Sequence, residues 1–156
     1  MKVLTKLFVS LAVTGYCVWC SGSDHSAMAA TATTHVMTQE KKVMTEFHGV
    51  RLGFKKAQVA AALGKPSTSD ESRDEFTFDG DNQITVHYDN GEVRAIQVSF
   101  VTATKVPSWT EVIGDAEVSQ TESGAKVGRK VVSAEHFWVS MYQNKDGSVT
   151  RITISR

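Results

Sequence analysis

Between residues 75 and 101 apolar side chains recur at every second position, in three separate runs. Phe76 and Phe78 alternate with polar residues, as do Ile84, Val86 and Tyr88, and then Ile96, Val98 and Phe100. A period of two puts each set on one side of a pleated strand, so the stretch predicts three antiparallel strands with one buried face. The turn between the second and third runs tests the register. A two-residue Asn90-Gly91 turn pairs Tyr88 with Val93 and Val86 with Ala95, and leaves Ile96 and Val98 on the wrong side. A three-residue loop, Asp89-Asn90-Gly91 with Gly91 in a bulge, pairs Val86 with Arg94 and Ile84 with Ile96. It gathers Ile84, Val86, Ile96, Val98 and Phe100 on one face. A slip of one residue flips every side chain, so the burial pattern favours the longer loop.

Helices are expected on either side of this meander. Residues 55–63 hold Ala57, Ala60, Ala61 and Ala62, strong helix formers, with Val59 and Leu63 four apart on one face. Gly64 and Pro66 end the segment, although no Ser, Thr, Asp or Asn stands at its expected N-cap. A shorter helix is expected over 39–47, from Val43, Met44 and Phe47, and the polar run 67–75 reads as a loop. In the second half Pro107 opens a short helix over 108–113, closed by Gly114. A polar loop runs through Gly124, a strand covers 127–133, and 136–143 and 148–155 form a hairpin around Asn144-Lys145-Asp146-Gly147. Leu63-Gly64 is echoed by Ile113-Gly114, and residues 93–98 by 149–154. The expectation is an α+β fold: tandem helix-plus-three-strand units, their antiparallel sheet packed against short helices. It forms one domain over 39–156, made of two degenerate repeats at about 50–101 and 107–156.

The N-terminus has the character of an address. Lys2 and Lys6 precede a mostly apolar run over 7–19, too short for a bilayer, which needs roughly 20 residues. Ala27-Met28-Ala29 places small residues for cleavage before Ala30, so 1–29 reads as a signal peptide and 30–38 as a flexible lead-in. No transmembrane span remains after processing, and the expected location is secreted or periplasmic. The two cysteines, Cys17 and Cys20, both lie in the leader, so the mature chain has no disulfide framework. A lipid anchor at Cys20, which would make an outer-membrane lipoprotein, is the minority reading, because bulky Trp19 precedes it where a small residue is normal. With 17 basic and 17 acidic residues, the chain lacks the electrostatic footprint of a nucleic-acid binder.

The chemistry-bearing residues form no familiar constellation. No Gly-x-Ser-x-Gly elbow, P-loop or His-Glu-x-x-His helix occurs. His35, His48, His87 and His136 are scattered, although His87 and His136 fall on expected strands and could meet across a sheet. Asp79-Gly80-Asp81-Asn82 starts like a calcium loop but lacks the later glycine and glutamate, and a tight turn explains it. Asp70, Glu71, Asp74 and Glu75 read as a solvated acidic loop. The expectation is no enzyme, no cofactor and no metal.

What stands out instead is residues 136–142, apolar on both faces, where a sheet covered on one side should alternate with polar residues. Either Phe137, Val139 and Met141 or Trp138 and Tyr142 face away from the core. A four-residue loop 144–147 pairs Gln143 with Ser148, and sets Val139 opposite Ile152 and Phe137 opposite Ile154. A three-residue bulged loop pairs Asn144 with Ser148 and turns Trp138 and Tyr142 inward. Parity with the first repeat favours the bulged loop, whereas the purely apolar set Phe137, Val139 and Met141 favours the first arrangement, and the apolar set is given more weight. The outer face is either a binding platform or covered by a helix or the N-terminal segment. Trp138, Tyr142, His136 and Arg151 are then the candidate protein-binding residues, aromatics supplying rigid contact area.

Residues 50–59, Val-Arg-Leu-Gly-Phe-Lys-Lys-Ala-Gln-Val, followed by Leu63-Gly64-Lys65-Pro66, resemble the signature of the SmpA/OmlA-like small outer-membrane lipoproteins, which share a fold with the beta-lactamase inhibitory proteins. The likeness covers about 50–100, with Phe54 and Lys55 where that group commonly has Met and a capping Thr or Ser. It implies an exported, non-catalytic protein-binding module of the bacterial cell envelope, of scaffold or assembly-factor type. The alternative it carries is an inhibitor or immunity-type protein that blocks a secreted or periplasmic enzyme. Either way the implied partner is another protein, and the matched positions are structural, so no site residue is carried over.

Overall fold

The computed structural model describes residues 41–101, 103 and 105–156. The expected signal peptide, the lead-in and both cysteines lie outside them. Ten strands and two short helices follow one another. They are β1 (Glu46–Phe47), β2 (Val50–Arg51), α1 (Lys56–Leu63), β3 (Thr68–Ser69), β4 (Arg73–Phe78), β5 (Asn82–Asp89) and β6 (Glu92–Val101). Then come α2 (Trp109–Ile113), β7 (Val118–Gln120), β8 (Lys126–Val132), β9 (Phe137–Gln143) and β10 (Val149–Ser155). β1 and β2 pair as a small hairpin, and the other eight form one antiparallel sheet in the order β3-β4-β5-β6-β10-β9-β8-β7.

That sheet overturns the expected α+β fold of tandem helix-plus-three-strand units. Strand makes up 48% of the described residues and helix 14%, so the chain is mostly β. The physical reason is the size of the helices. α1 buries only Val59, and the five-residue α2 buries only Val112 and Ile113, so the core is built by the strands. The helix expected over 39–47 is absent from the described part of that range. Residues 41–45 are irregular and Glu46–Phe47 is strand. His48 and Gly49, at φ of 48° and 78°, turn the chain left-handed, so that Phe47 and Val50 pair and are both buried. The expected loop over 67–75 holds β3 and the start of β4, and the loop before Gly124 holds β7.

Both hairpin registers also differ from expectation. Asn90 and Gly91, at φ of 52° and 74°, make the two-residue turn, and Tyr88 pairs with Val93. Val86 nevertheless meets Ile96, and Ile84 meets Val98, because the register shifts between His87 and Tyr88. Arg94 is the extra residue of that bulge, which restores the common apolar face one step beyond the turn. In the second hairpin Asn144 N–H donates to the Val149 carbonyl, and Thr150 pairs with Gln143. Val139 therefore faces Ile154, two residues from the expected register. A shift of two preserves facing, so Phe137, Val139 and Met141 are buried with Ile152 and Ile154.

The core face of the sheet can be read straight across six strands. One row runs Gly128, Met141, Ile152, Val98, Ile84, Phe76, and the next runs Lys130, Val139, Ile154, Ile96, Val86, Asp74. The second row ends in a charge at either margin. Lys130 pairs with Asp115, just past α2, at 2.9 Å, and Asp74 pairs with Lys56, the first residue of α1, at 3.1 Å. α2 packs on this face where Gly128 leaves room, since a Cβ there would overlap Ile113 Cδ1. Met44 N–H donates to the Val112 carbonyl at 3.0 Å, and Phe47, Phe78 and Phe100 stack edge to face with centroids 5.6–6.0 Å apart. The helix ends are satisfied locally. Lys55 N–H donates to Gln58 Oε1, a cap from inside the helix, and Ser108 with Glu111 forms a capping box.

Candidate functional site

The opposite face of the same strands has a different composition. Its rows run Val127, Tyr142, Arg151, Ser99, Gln83, Thr77; then Arg129, Ser140, Thr153, Gln97, Thr85, Glu75; then Val131, Trp138, Ser155, Ala95, His87, Arg73. The central strands β6 and β10 contribute mainly short side chains. Large apolar and aromatic groups gather on β8 and β9. Val131 is 58% exposed and Tyr142 39%, values that separate them from the fully buried valines one residue away in phase. Alternation alone produces this face: every second residue of each strand turns from the core.

Of the four residues singled out in the sequence, the fold brings three together. Arg151 sits directly opposite Tyr142 across the β9–β10 pair, and Trp138 lies on the same side of β9, four residues away with Ser140 between, opposite Ser155. The fourth, His136, lies apart from them. It is the left-handed residue (φ 54°) that closes the turn Ser133–Glu135 before β9, rather than a strand residue, and so does not meet His87 across the sheet. It lines a separate cleft of about 620 Å³ with Lys42, Arg51 and Arg156. Sequence reasoning missed Arg129 and Val131. The signal was present in the alternation of Val127, Arg129 and Val131, which puts all three on the side of Trp138 and Tyr142.

Arg129 completes the patch. Its guanidinium carbon lies 4.3 Å from the centroid of the Trp138 ring, a cation–π contact that ties the two side chains together. A shallow depression of about 290 Å³ is lined here by Glu117, Ser119, Val127, Arg129, Ser140 and Tyr142. Among the described residues neither Arg129 nor Arg151 makes an ion pair with a carboxylate. At the far end of the same face the charges are matched instead, Arg73 reaching Glu75 at 3.4 Å and Asp70 at 3.7 Å.

The acidic run read as a solvated loop needs correction at one position. Asp74 is buried, on the core face in phase with Phe76 and Phe78. It accepts hydrogen bonds from Ser69 Oγ and, at 2.8 Å, from the Tyr88 hydroxyl, besides pairing with Lys56. Burial alone would raise its pKa, but these hydrogen bonds and the Lys56 charge outweigh burial and hold the carboxyl below its usual value. Burial, with Asp74 alongside, pushes the Tyr88 hydroxyl well above its ordinary range. Every polar atom of the cluster has a partner. It fastens α1 to β3 and β4 and offers no free group for chemistry.

Among the described residues no group of three His, Cys, Asp or Glu side chains is placed to hold a metal ion, and no helix is long and apolar enough to cross a membrane. Asp79 and Gly80, at φ of 42° and 83°, form the tight turn between β4 and β5. No protein-family model, curated protein or solved structure matches the chain.

Proposed function

We propose that this chain is a non-catalytic protein-binding module that presents the open face of its sheet, at β8–β10, to a partner protein. The observation that carries the reading is the cluster of exposed Tyr142, Val131, Arg129 and Arg151 around half-buried Trp138, on a sheet whose core lies entirely on the other side. Stacked and pleated aromatics lose little side-chain entropy on contact, and Trp, Tyr and Arg are the residues that dominate binding energy in protein interfaces. Lys2, Lys6, the 7–19 run and Ala27-Met28-Ala29 support export to the cell envelope, in which case the partner is an envelope or secreted protein.

A photoreactive amino acid placed at position 142, and separately at Thr110 on the exposed side of α2, tests the surface in the producing cell. The expected result is a discrete adduct from position 142 and none from 110. Equal labelling, or labelling from 110 alone, rejects the open face as the binding surface. The adduct also sorts the partner, since an assembly complex fits a scaffold and a lone hydrolase fits an inhibitor. Mass spectrometry of the recovered chain tests export, and an intact, unlipidated Met1 form rejects it.

A further inference from the structure

The open face is charged unevenly, and the imbalance specifies a partner. Resting on the reading of this face as a protein-binding surface, we propose that the β8–β10 patch receives an extended acidic segment of another protein, with two carboxylates flanking an apolar residue. Arg129 on β8 and Arg151 on β10 are the only charged side chains in the rows over β8, β9 and β10. Neither is paired with a carboxylate among the described residues, whereas Arg73 at the opposite margin is matched by Glu75 and Asp70. Strand spacing puts the two arginine Cα atoms about 12 Å apart, two strands across and one row along. An extended chain covers that span in about four residues, and because its side chains alternate, carboxylates at i and i+4 lie on one side and reach both guanidinium groups. The line joining them crosses β9 between Ser140 and Tyr142, where an intervening apolar side chain meets the Tyr142 ring and the depression beside it. Ser140, Thr153 and Ser155 are short enough to let the incoming backbone lie close to the sheet. Guanidinium–carboxylate pairing supplies the orientation, because its two parallel hydrogen bonds fix direction as well as distance.

Aromatics and arginine on a sheet also suit single-stranded nucleic acid, but tracking a phosphate backbone takes a continuous basic groove. Here two cations, without a carboxylate partner among the described residues, sit on a chain of balanced charge. The acidic protein segment is the better match.

Random twelve-residue peptides displayed on phage can be selected on the folded chain and, in parallel, on its R129E/R151E variant, with circular dichroism checking that the variant keeps the strand spectrum. The wild-type chain should enrich sequences with Asp or Glu four residues apart around an apolar residue. Synthetic copies of those peptides should bind the double variant at least about tenfold more weakly, and should weaken with added salt. Enriched peptides that lack acidic pairs, or that bind the charge-reversed variant equally well, overturn the acidic-segment proposal. If such peptides still lose binding on Tyr142→Ala, the open face stands as a binding surface; if they do not, that reading fails too. Absence of any enriched peptide counts against both. A twenty-nucleotide oligo-dT that binds more tightly than the selected peptides, and is lost with R129E/R151E, assigns the patch to nucleic acid instead. Should the double variant fail to fold, Arg151→Gln and Arg129→Gln singly must each reduce peptide binding at least about threefold for the proposal to survive.

Discussion

The two faces of the eight-stranded sheet are built from the same strands and differ by one residue in phase, yet they obey different rules. On the core face, six strands present Met141, Ile152, Val98, Ile84 and Phe76 in a single row, with a glycine only where α2 needs room. On the open face, the neighbouring rows are Thr, Ser and Gln across the middle and aromatic, valine and arginine over β8 and β9. Hydrophobic burial therefore fixes the fold through one face and leaves the other free to vary for contact. The difference teaches where the energy of folding and the energy of binding are kept. Substitutions on the two faces should separate the two quantities.

The largest effect is expected from the middle of the core face. Ile152→Ala removes a fully buried side chain between Val98 and Met141, and should lower stability by about 2–5 kcal/mol in a urea or guanidinium titration. Thr153→Ala, one residue away and turned outward, should stay within about 0.5 kcal/mol of the parent. If the two losses were alike, the division of labour between the faces would be wrong. Gly128→Val comes next. Its side chain would collide with Ile113 and press on Trp109, so α2 must lift or the strand must bend, costing about 1–3 kcal/mol. A loss confined to α2 would appear as faster hydrogen exchange at Val112 and Ile113, with the amides of β6 and β10 unchanged.

A third prediction turns on the charge at the margin of the core face. The folded-state pKa of Asp74 is lowered, so in acid the unfolded chain takes up this proton more readily than the folded one. The stabilising contribution of Asp74 is then complete above its ordinary unfolded value near 4 and fades as pH falls through the lower folded value. Asp74→Asn should flatten that part of the stability–pH curve. It should also cost roughly 1–3 kcal/mol at neutral pH, because Lys56 loses its counter-charge and the Tyr88 hydroxyl its ionised acceptor. Tyr88 carries the opposite sign. Its folded pKa is raised, so its contribution holds below about 10 and fades as pH rises through the folded value. An unchanged acid limb in Asp74→Asn would show that other carboxylates set it.

The faces themselves were legible in the sequence because a strand has a period of two and needs no tertiary information to be read. Ile84, Val86, Ile96, Val98 and Phe100 were expected together and are together. The register was not legible, since the bulge at Arg94 inserts a residue without disturbing the alternation on either side of it. The second hairpin slipped by two, which no pattern of burial can detect. The misread class had another cause. A run of alanines and a Leu-Gly stop announce a helix, but only the structure shows that α1 buries a single side chain and leaves the sheet to form the core. Asp74 and Arg129 were readable from the phase of their neighbours. Composition drew attention elsewhere, Asp74 looking like one of an acidic run and Arg129 not standing out at all.

The smallest effect on folding is expected where the effect on binding is greatest. Trp138 is half-buried, its ring in contact with the Arg129 guanidinium, and its neighbours across the pairs are Val131 and Ser155 rather than core residues. Trp138→Ala leaves no cavity in the core and should change stability by no more than about 1 kcal/mol. A Trp in the core row would instead cost about 3–5 kcal/mol on truncation, so chemical denaturation of this one variant distinguishes the faces directly. On the binding side the same change removes the support on which Arg129 lies, together with the largest ring of the patch. Partner affinity should fall by about 2 kcal/mol or more, roughly thirtyfold, measured by titration calorimetry with a captured partner or a selected peptide. A stability loss above about 3 kcal/mol would place Trp138 in the core after all, whereas intact stability with intact binding would move the contact surface away from β9.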